Sequence, residues 1–193
     1  MSSTDPLAPL LATLSDLTRW LDAAAAPAAI IGGIAASFLG RPRATRDVDA
    51  LVLLDQSQWA QFLAAGAGFG FRARIADALA FATQSRVLLV RHGPSKIDAD
   101  ITFGALAFEQ ETIERATRVD IAGVSVPLAT PEDLIVMKAV AHRARDIADI
   151  ESLLDAHPTL DYERIRRWVR EFSTVLQSPP LLDDLERLLA GKK

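Results

Sequence analysis

The sequence predicts an α/β (α+β) fold, a small mixed β-sheet with flanking helices and a C-terminal helical subdomain. In the first two thirds of the 193 residues, segments with the alternating pattern of strands are mixed with segments that have the apolar spacing of helices. After residue 128 only the helical spacing occurs. Strands mixed with helices, followed by helices alone, indicate a sheet-based core with a helical appendage. We therefore expect a core over residues 1–127 and a helical subdomain over residues 128–193 that closes a cleft.

Apolar spacing and helix-stopping residues set the predicted bounds of the first elements. Pro27 ends the first helix, and Gly40 with Pro42 ends a short Ala-rich one. A strand follows each of these helices. The predicted order is a helix over 6–26, a strand over 28–31, a helix over 34–39, a strand over 47–54 and a helix over 56–65.

Glycine and proline turns divide the middle of the chain. Gly93-Pro94-Ser95 predicts a hairpin turn between two apolar strands, and Ala122-Gly123 predicts another. The predicted elements are an edge strand over 69–73, an ambiguous helical turn over 76–83, strands over 86–91 and 96–103, a helix or loop over 108–116 and a hairpin over 119–127.

The last third opens with a helix start signal. Thr130 is a suitable N-cap, Pro131 suits the first helical position, and acidic residues follow in the first turn. The predicted helices cover 131–143, 145–154, 161–176 and 181–189.

Composition limits the classes of function. The formal net charge of −4 gives no overall basic field for a nucleic acid, and the absence of cysteine excludes disulfides and Cys–zinc sites. The start of the chain lacks the basic flank of a signal peptide, and no apolar run is long enough to span a bilayer. We expect a cytoplasmic protein with no membrane partner.

The stretch from Gly32-Gly33 to Asp47-Val48-Asp49 carries the chemistry. Side chains alternate along a strand, so Asp47 and Asp49 point to the same face. Their oxygens suit a hard cation such as Mg²⁺, which also takes phosphate ligands. The glycine pair lets the backbone approach a phosphate, and the helix start behind it offers unpaired N–H groups. The alternative is a buried glycine turn beside a solvent-exposed pair of carboxylates.

A third carboxylate is expected on a neighbouring strand, since metal-dependent phosphoryl transfer needs one. In the strand over 96–103, Asp98 and Asp100 share one face. Either of them satisfies the requirement. A polar, solvent-facing sheet edge is the alternative interpretation.

A glycine pair, a short helix and Asp-x-Asp at the head of a strand resemble the signature of the nucleotidyltransferase superfamily of DNA polymerase β type. Arg43-x-Thr45 before Asp47 is most similar to the small bacterial nucleotidyltransferases of abortive-infection toxin type. The resemblance implies their fold. It also implies an enzyme that moves a nucleoside monophosphate from an NTP to a hydroxyl acceptor and releases pyrophosphate.

The resemblance also implies roles for individual residues. It favours Asp100 as the third carboxylate, because the Gly-x-Leu and Phe-Glu pairs of the family follow it, and leaves Asp98 as the fallback. It places a lysine near the triphosphate and an aspartate near the catalytic end. The implied metal ligands are Asp47, Asp49 and Asp100; the implied catalytic residues are these three and Asp146; and the implied nucleotide-binding residues are Gly32, Gly33, Arg43, Thr45 and Lys138.

The cofactor and partners follow from the same resemblance. We expect Mg²⁺, with Mn²⁺ as a substitute, an NTP, and an acceptor that is a tRNA, a protein or a small molecule. A cognate antitoxin or toxin protein is a further expected partner. The alternative function is a binding protein with the nucleotidyltransferase fold that acts through protein contact without turnover.

Overall fold

The computed structural model describes residues 7–191, which form two compact units. The sheet unit comprises residues 7–34 and 45–129, and the helical unit comprises residues 35–44 and 130–191. Among these described residues, no helix has both the length and the apolar character needed to cross a bilayer.

A mixed β-sheet forms the sheet unit. Its strands are β1 (Ala28–Ile31), β2 (Asp47–Val52), β3 (Phe71–Ala73), β4 (Val87–His92), β5 (Ile97–Phe103), β6 (Thr117–Ile121) and β7 (Val124–Leu128). They lie in the order β3-β4-β5-β2-β1-β7-β6. β2 runs parallel to β5, and β1 runs parallel to β7, while the other neighbours are antiparallel. The parallel β2–β5 pair therefore lies in the middle of the sheet.

The helices of the sheet unit pack aromatic side chains against that sheet. They are α1 (Ala8–Ala23), α3 (Trp59–Gly66), α4 (Ala78–Ser85) and α5 (Ala107–Arg115), while α2 (Gly32–Leu39) starts directly after β1. Trp20 stacks on Phe62 with ring centroids 4.3 Å apart, and Trp59 stacks on Phe103 at 4.0 Å. The indole N–H of the fully buried Trp20 donates to the Phe62 carbonyl at 3.1 Å. This packing buries a large aromatic surface away from water, and the buried indole N–H still has a hydrogen-bond partner.

The helical unit contains α6 (Pro131–Ala141), α7 (Ala144–Ala156), α8 (Tyr162–Val175) and α9 (Pro180–Ala190). Thr130 is the N-cap of α6, as predicted, because its hydroxyl accepts a hydrogen bond from the Asp133 N–H at 3.3 Å. Asp161 caps α8 in the same way.

Residues 35–44 are fastened to α7 within the helical unit. The Arg41 N–H donates to Ser152 Oγ at 2.5 Å, and the Leu39 carbonyl accepts from His157 Nε2 at 2.7 Å. Gly40 lies so close to Ser152 that a Cβ would stand 2.5 Å from that hydroxyl oxygen. A segment from the first quarter of the chain is therefore part of the C-terminal core.

The predicted fold class is confirmed, and the differences are local. Residues 78–85 form a full helix where the sequence was ambiguous, and residues 107–115 form a helix and not a loop. α1 ends at Ala23, before the predicted end at 26, because Ala25 takes a left-handed φ of 49°. Its predicted start at residue 6 lies outside the described residues.

Candidate active site

Four aspartates form the acidic cluster of the sheet unit: Asp47, Asp49, Asp98 and Asp100. β2 and β5 run parallel and in register, so that Asp47 is opposite Asp98 and Asp49 is opposite Asp100. Because alternate residues share a face and neighbouring strands lie about 4.8 Å apart, all four side chains leave the same side of the sheet. The acid pairs predicted on two strands are thus brought together.

Gly32 lies directly against this cluster. Its φ of +70° belongs to the left-handed region that glycine adopts without strain. A Cβ at this position would overlap the Asp49 carboxylate. Residue 32 therefore requires glycine for two reasons: the positive φ angle, and the Asp49 carboxylate in the space that a Cβ would fill. Gly33 follows in the first turn of α2, where backbone N–H groups lack partners within the helix.

Arg74 is a cation that binds two carboxylates of the acidic cluster. Its Nη1 lies 2.8 Å from Asp98 Oδ2, and its Nη2 lies 2.7 Å from Asp100 Oδ1. The Arg74 N–H donates to the Leu89 carbonyl at 3.0 Å, which fixes its backbone beside β4. One guanidinium thus spans two neighbouring carboxylates of β5.

The two carboxylates of β5 differ in their surroundings. A hydrogen bond from Arg91 lowers the pKa of Asp98 below its ordinary value, and Arg74 adds to this effect. Burial raises the pKa of Asp100, and the nearby charges of Asp47 and Asp98 raise it further, so that Arg74 offsets only part of the increase. Asp98 is therefore a well-compensated anion, whereas Asp100 holds a negative charge less readily.

Thr45 lies at the entrance to β2. Its hydroxyl donates to Asp47 Oδ1 at 3.2 Å, and the Asp47 carbonyl lies within 3.3 Å of the same hydroxyl. In this arrangement Thr45 orients the exposed Asp47 carboxylate.

The chemistry of the acidic cluster suits a hard divalent cation, since its donors are carboxylate oxygens on two adjacent strands. Within residues 7–191, however, no group of three or more His, Cys, Asp or Glu side chains is arranged so that it could hold a metal ion. Arg74 takes oxygens of Asp98 and Asp100. The donors fit the cation by type, and two of their carboxylate oxygens are already bound by the Arg74 guanidinium.

The helical unit gathers a second group of charged residues, the buried ion-pair network. Lys138 Nζ lies 3.1 Å from Asp146 Oδ1 and 2.8 Å from Asp149 Oδ2, and the lysine side chain is only 6% exposed. Arg43 holds Asp149 with two hydrogen bonds of 2.8 and 2.9 Å, and Arg143 binds the fully buried Asp146.

Charge compensation in this network is strong. Burial by itself raises the pKa of Asp146 and Asp149, yet hydrogen bonds from Arg143, Arg43 and Lys138 hold both below the ordinary value. The predicted nucleotide-binding residues Lys138 and Arg43 and the predicted catalytic Asp146 therefore come together, bound to one another and to Asp149.

The comparisons with known proteins fit this geometry. Residues 15–191 match the family described as "Nucleotidyl transferase AbiEii toxin, Type IV TA system". The chain belongs to this family. No curated protein matches it. The prediction of a nucleotidyltransferase enzyme related to the abortive-infection toxins is therefore confirmed.

Solved structures with the same fold have low sequence identity to this member of the AbiEii family. The solution structure of the antibiotic-resistance factor ANT(2'')-Ia superposes with a TM-score of 0.59 at 18% identity, over 88% of this chain and 94% of that one. The crystal structure of ANT(2'')-Ia with adenylyl-2''-tobramycin gives 0.57 at 19% identity, over 86% and 99%. An antigenic nucleotidyltransferase-like protein from Paracoccidioides brasiliensis gives 0.54 at 19% identity, over 91% and 92%.

Sequence reasoning missed two features of the sheet unit. Arg74 gave no local signal, because its partners lie on another strand. The second feature is a hydrogen-bonded group in which the fully buried His92 binds Ser95 Oγ through Nδ1 at 2.8 Å and Asp16 through Nε2 at 3.1 Å. Thr13 Oγ1 lies 2.7 Å from the same serine hydroxyl. This group fastens α1 to the β4–β5 hairpin.

Proposed function

We propose that this chain is a Mg²⁺-dependent nucleotidyltransferase that transfers a nucleoside monophosphate from an NTP to a hydroxyl acceptor. Mn²⁺ is expected to substitute for Mg²⁺. Asp47, Asp49 and Asp100 are the proposed metal ligands, and the backbone at Gly32 and Gly33 is the proposed cradle for the β- and γ-phosphates.

The observation that carries the proposal is the register of β2 on β5. It sets Asp49 directly opposite Asp100, with Gly32 against the Asp49 carboxylate. Asp100 supports the role better than Asp98, because Asp98 is neutralised by both Arg91 and Arg74. The sequence left this choice to a family resemblance, and the ion pairs now support it independently.

The proposed step is an in-line displacement at the α-phosphorus. The acceptor oxygen forms a bond to that phosphorus, the bond to the bridging oxygen of the β-phosphate breaks, and pyrophosphate leaves. The acceptor proton passes to the Asp100 carboxylate, which acts as the proton acceptor. A bound divalent cation supplies positive charge to the phosphoryl group and the leaving pyrophosphate.

A labelling experiment tests the proposal. The protein is incubated with each of the four NTPs, labelled at the α-phosphate, with Mg²⁺ or Mn²⁺ and with tRNA, bulk protein or a small alcohol. The neighbour solved with adenylyl-2''-tobramycin makes an aminoglycoside a reasonable small acceptor to include. We expect label to reach one acceptor class, and chelation of the metal to stop the transfer.

Asp49→Asn is the decisive variant. We expect it to abolish transfer while its metal-free melting temperature stays level or rises, because removing one of several clustered anions relieves repulsion. Asp55→Asn is the control, since Asp55 caps a 3₁₀ turn after β2 and asparagine also caps. A melt lowered by several degrees in Asp49→Asn, with transfer intact, contradicts the assignment of Asp49.

We further propose that the transfer activity is what makes the protein toxic, in keeping with the description of its family. Expression of the wild type in a host cell is then expected to arrest growth, whereas Asp49→Asn is harmless and a cognate antitoxin protects. Arrest by Asp49→Asn equal to that by the wild type favours the alternative, a partner protein that acts by contact without turnover.

A further inference from the structure

Arg74 occupies an unusual position within the acidic cluster. It reaches Asp98 and Asp100 with separate nitrogens, at 2.8 and 2.7 Å. Its side chain is 25% exposed, and that of Asp100 is 34% exposed, so neither group is locked in a dry core. An ion pair of this kind is weak enough to exchange for a stronger cation.

The two partners of Arg74 are not equivalent. Asp98 also holds Arg91 through hydrogen bonds of 2.5 and 3.1 Å, and it lies opposite Asp47 across the β2–β5 pair. Asp100 lies opposite Asp49, and burial opposes its charge. Loss of the Asp100 contact leaves Arg74 anchored to Asp98 and tethered at its backbone to the Leu89 carbonyl.

We propose that Arg74 is a resident counter-ion of the nucleotide-binding site, which shields Asp100 when no metal is bound and yields that carboxylate to the divalent cation. This inference rests on the proposed metal-dependent function and adds a positioning residue to it. The exchange breaks one of two ion pairs, the Asp98 pair being kept. The guanidinium then remains beside the site, and its Nη2 no longer contacts Asp100.

Two consequences follow from charge alone. Without metal, Arg74 neutralises an excess of negative charge, so its loss destabilises the sheet unit. With metal, Arg74 is a competitor, so its loss tightens metal binding. A residue that merely supported the ligands would weaken metal binding when removed, and the sign of the change therefore separates the two roles.

The test is a titration of the nucleotide-free protein with Mn²⁺, followed by calorimetry or by the paramagnetic signal of the free ion. We expect Arg74→Met to tighten Mn²⁺ binding about three- to tenfold, as befits removal of a partly exposed ion pair from one ligand. Its metal-free melting temperature should fall by several degrees and recover when Mn²⁺ is added. Arg74→Lys, which keeps the charge, should bind Mn²⁺ close to the wild-type affinity.

Arg91→Met is the matched control. Arg91 also pairs with Asp98, but Asp100 is held by Arg74. We expect Mn²⁺ affinity within about twofold of the wild type in this variant, since an exposed ion pair contributes little.

The outcomes distinguish this inference from the function on which it rests. Mn²⁺ binding that is lost in Asp49→Asn but unchanged or weakened in Arg74→Met overturns the role of Arg74 and leaves the proposed function standing. Mn²⁺ binding that Asp49→Asn does not affect overturns both, as does a complete absence of Mn²⁺ binding.

Discussion

The acidic cluster of the sheet unit and the buried ion-pair network of the helical unit both combine aspartates with arginines, but their charge balance differs. In the cluster, Arg74 binds Asp98 and Asp100, Arg91 binds Asp98, and the pKa of Asp100 is raised whereas that of Asp98 is lowered. In the network, three cations hold two carboxylates, and the pKa of both is lowered.

The difference separates two uses of a carboxylate. In a half-exposed group of acids, burial and neighbouring negative charges oppose the ionisation of Asp100, and a further cation would favour it. Buried carboxylates that are all paired with cations gain little from a further cation, and breaking their pairs is costly. The first arrangement suits a site, and the second suits a framework.

Lys138→Met gives the largest expected effect and tests the framework side of this comparison. It leaves the buried Asp146 and Asp149 without their shared ammonium, which is expected to lower the free energy of unfolding by about 3–5 kcal/mol. Urea denaturation measures the loss. Arg145→Met, on the exposed side of α7, should stay within about 0.5 kcal/mol of the wild type. A loss below about 1 kcal/mol for Lys138→Met would mean that this lysine is free to serve a ligand.

The pH dependence of Asp149→Asn gives the next largest effect. The folded pKa of Asp149 is lowered, so the stability it contributes is fully present above the unfolded value and is lost as the pH falls through the folded value. We expect the variant to be less stable by about 1.5–3 kcal/mol at neutral pH. That deficit should shrink between about pH 5 and pH 2, in urea melts at stepped pH.

The control for this pH series is Asp77→Asn, an exposed acid of the sheet unit. Its stability should follow the wild-type curve throughout. A deficit in Asp149→Asn that stays constant down to the lowest pH would show that its ion pairs are not the source of the stability.

The difference between Gly32→Ala and a matched control is the smallest expected effect, and it tests the site side of the comparison. Gly123→Ala is its matched control, because Gly123 also has a positive φ but a Cβ there would meet nothing within 4 Å. Both should lose about 1 kcal/mol from the left-handed backbone. Gly32→Ala should lose roughly 1–3 kcal/mol more, because its Cβ would also stand 2.7 Å from the Asp49 Cβ, which a change of rotamer does not move, so the backbone must shift.

Transfer activity separates these two variants more clearly than stability does. It should be lost in Gly32→Ala, whose added Cβ displaces a proposed metal ligand, and retained in Gly123→Ala. Equal stability and equal activity in the two variants would contradict the close contact between Gly32 and Asp49.

The sequence predicts the acidic face well because strand alternation is local. Asp47 with Asp49, and Asp98 with Asp100, share a face whatever the rest of the chain does. The in-register pairing of β2 with β5 depends on the whole sheet, and alternation alone does not provide it. The glycine pair predicts that another group comes close to the backbone at residue 32. The sequence analysis expects a phosphate there, and the structure places the Asp49 carboxylate against Gly32.

Long-range partners explain what local patterns could not predict. Arg74 follows a three-residue edge strand, and nothing in its neighbourhood distinguishes it from Arg72 or Arg91. Lys138 belongs to a polar stripe that a helical pattern would leave in solvent. It is buried with its charge partners, Asp146 and Asp149, which α7 brings to it.

The fastening of residues 35–44 to α7 has a consequence for the order of folding. During synthesis this segment is made long before Ser152, Asp149 and His157, to which its own polar groups are bound in the finished protein. A domain normally folds as a unit once its chain is available. The helical unit therefore cannot reach its native state before α7 has been synthesised, and the ion pairs around Lys138 form only after that point.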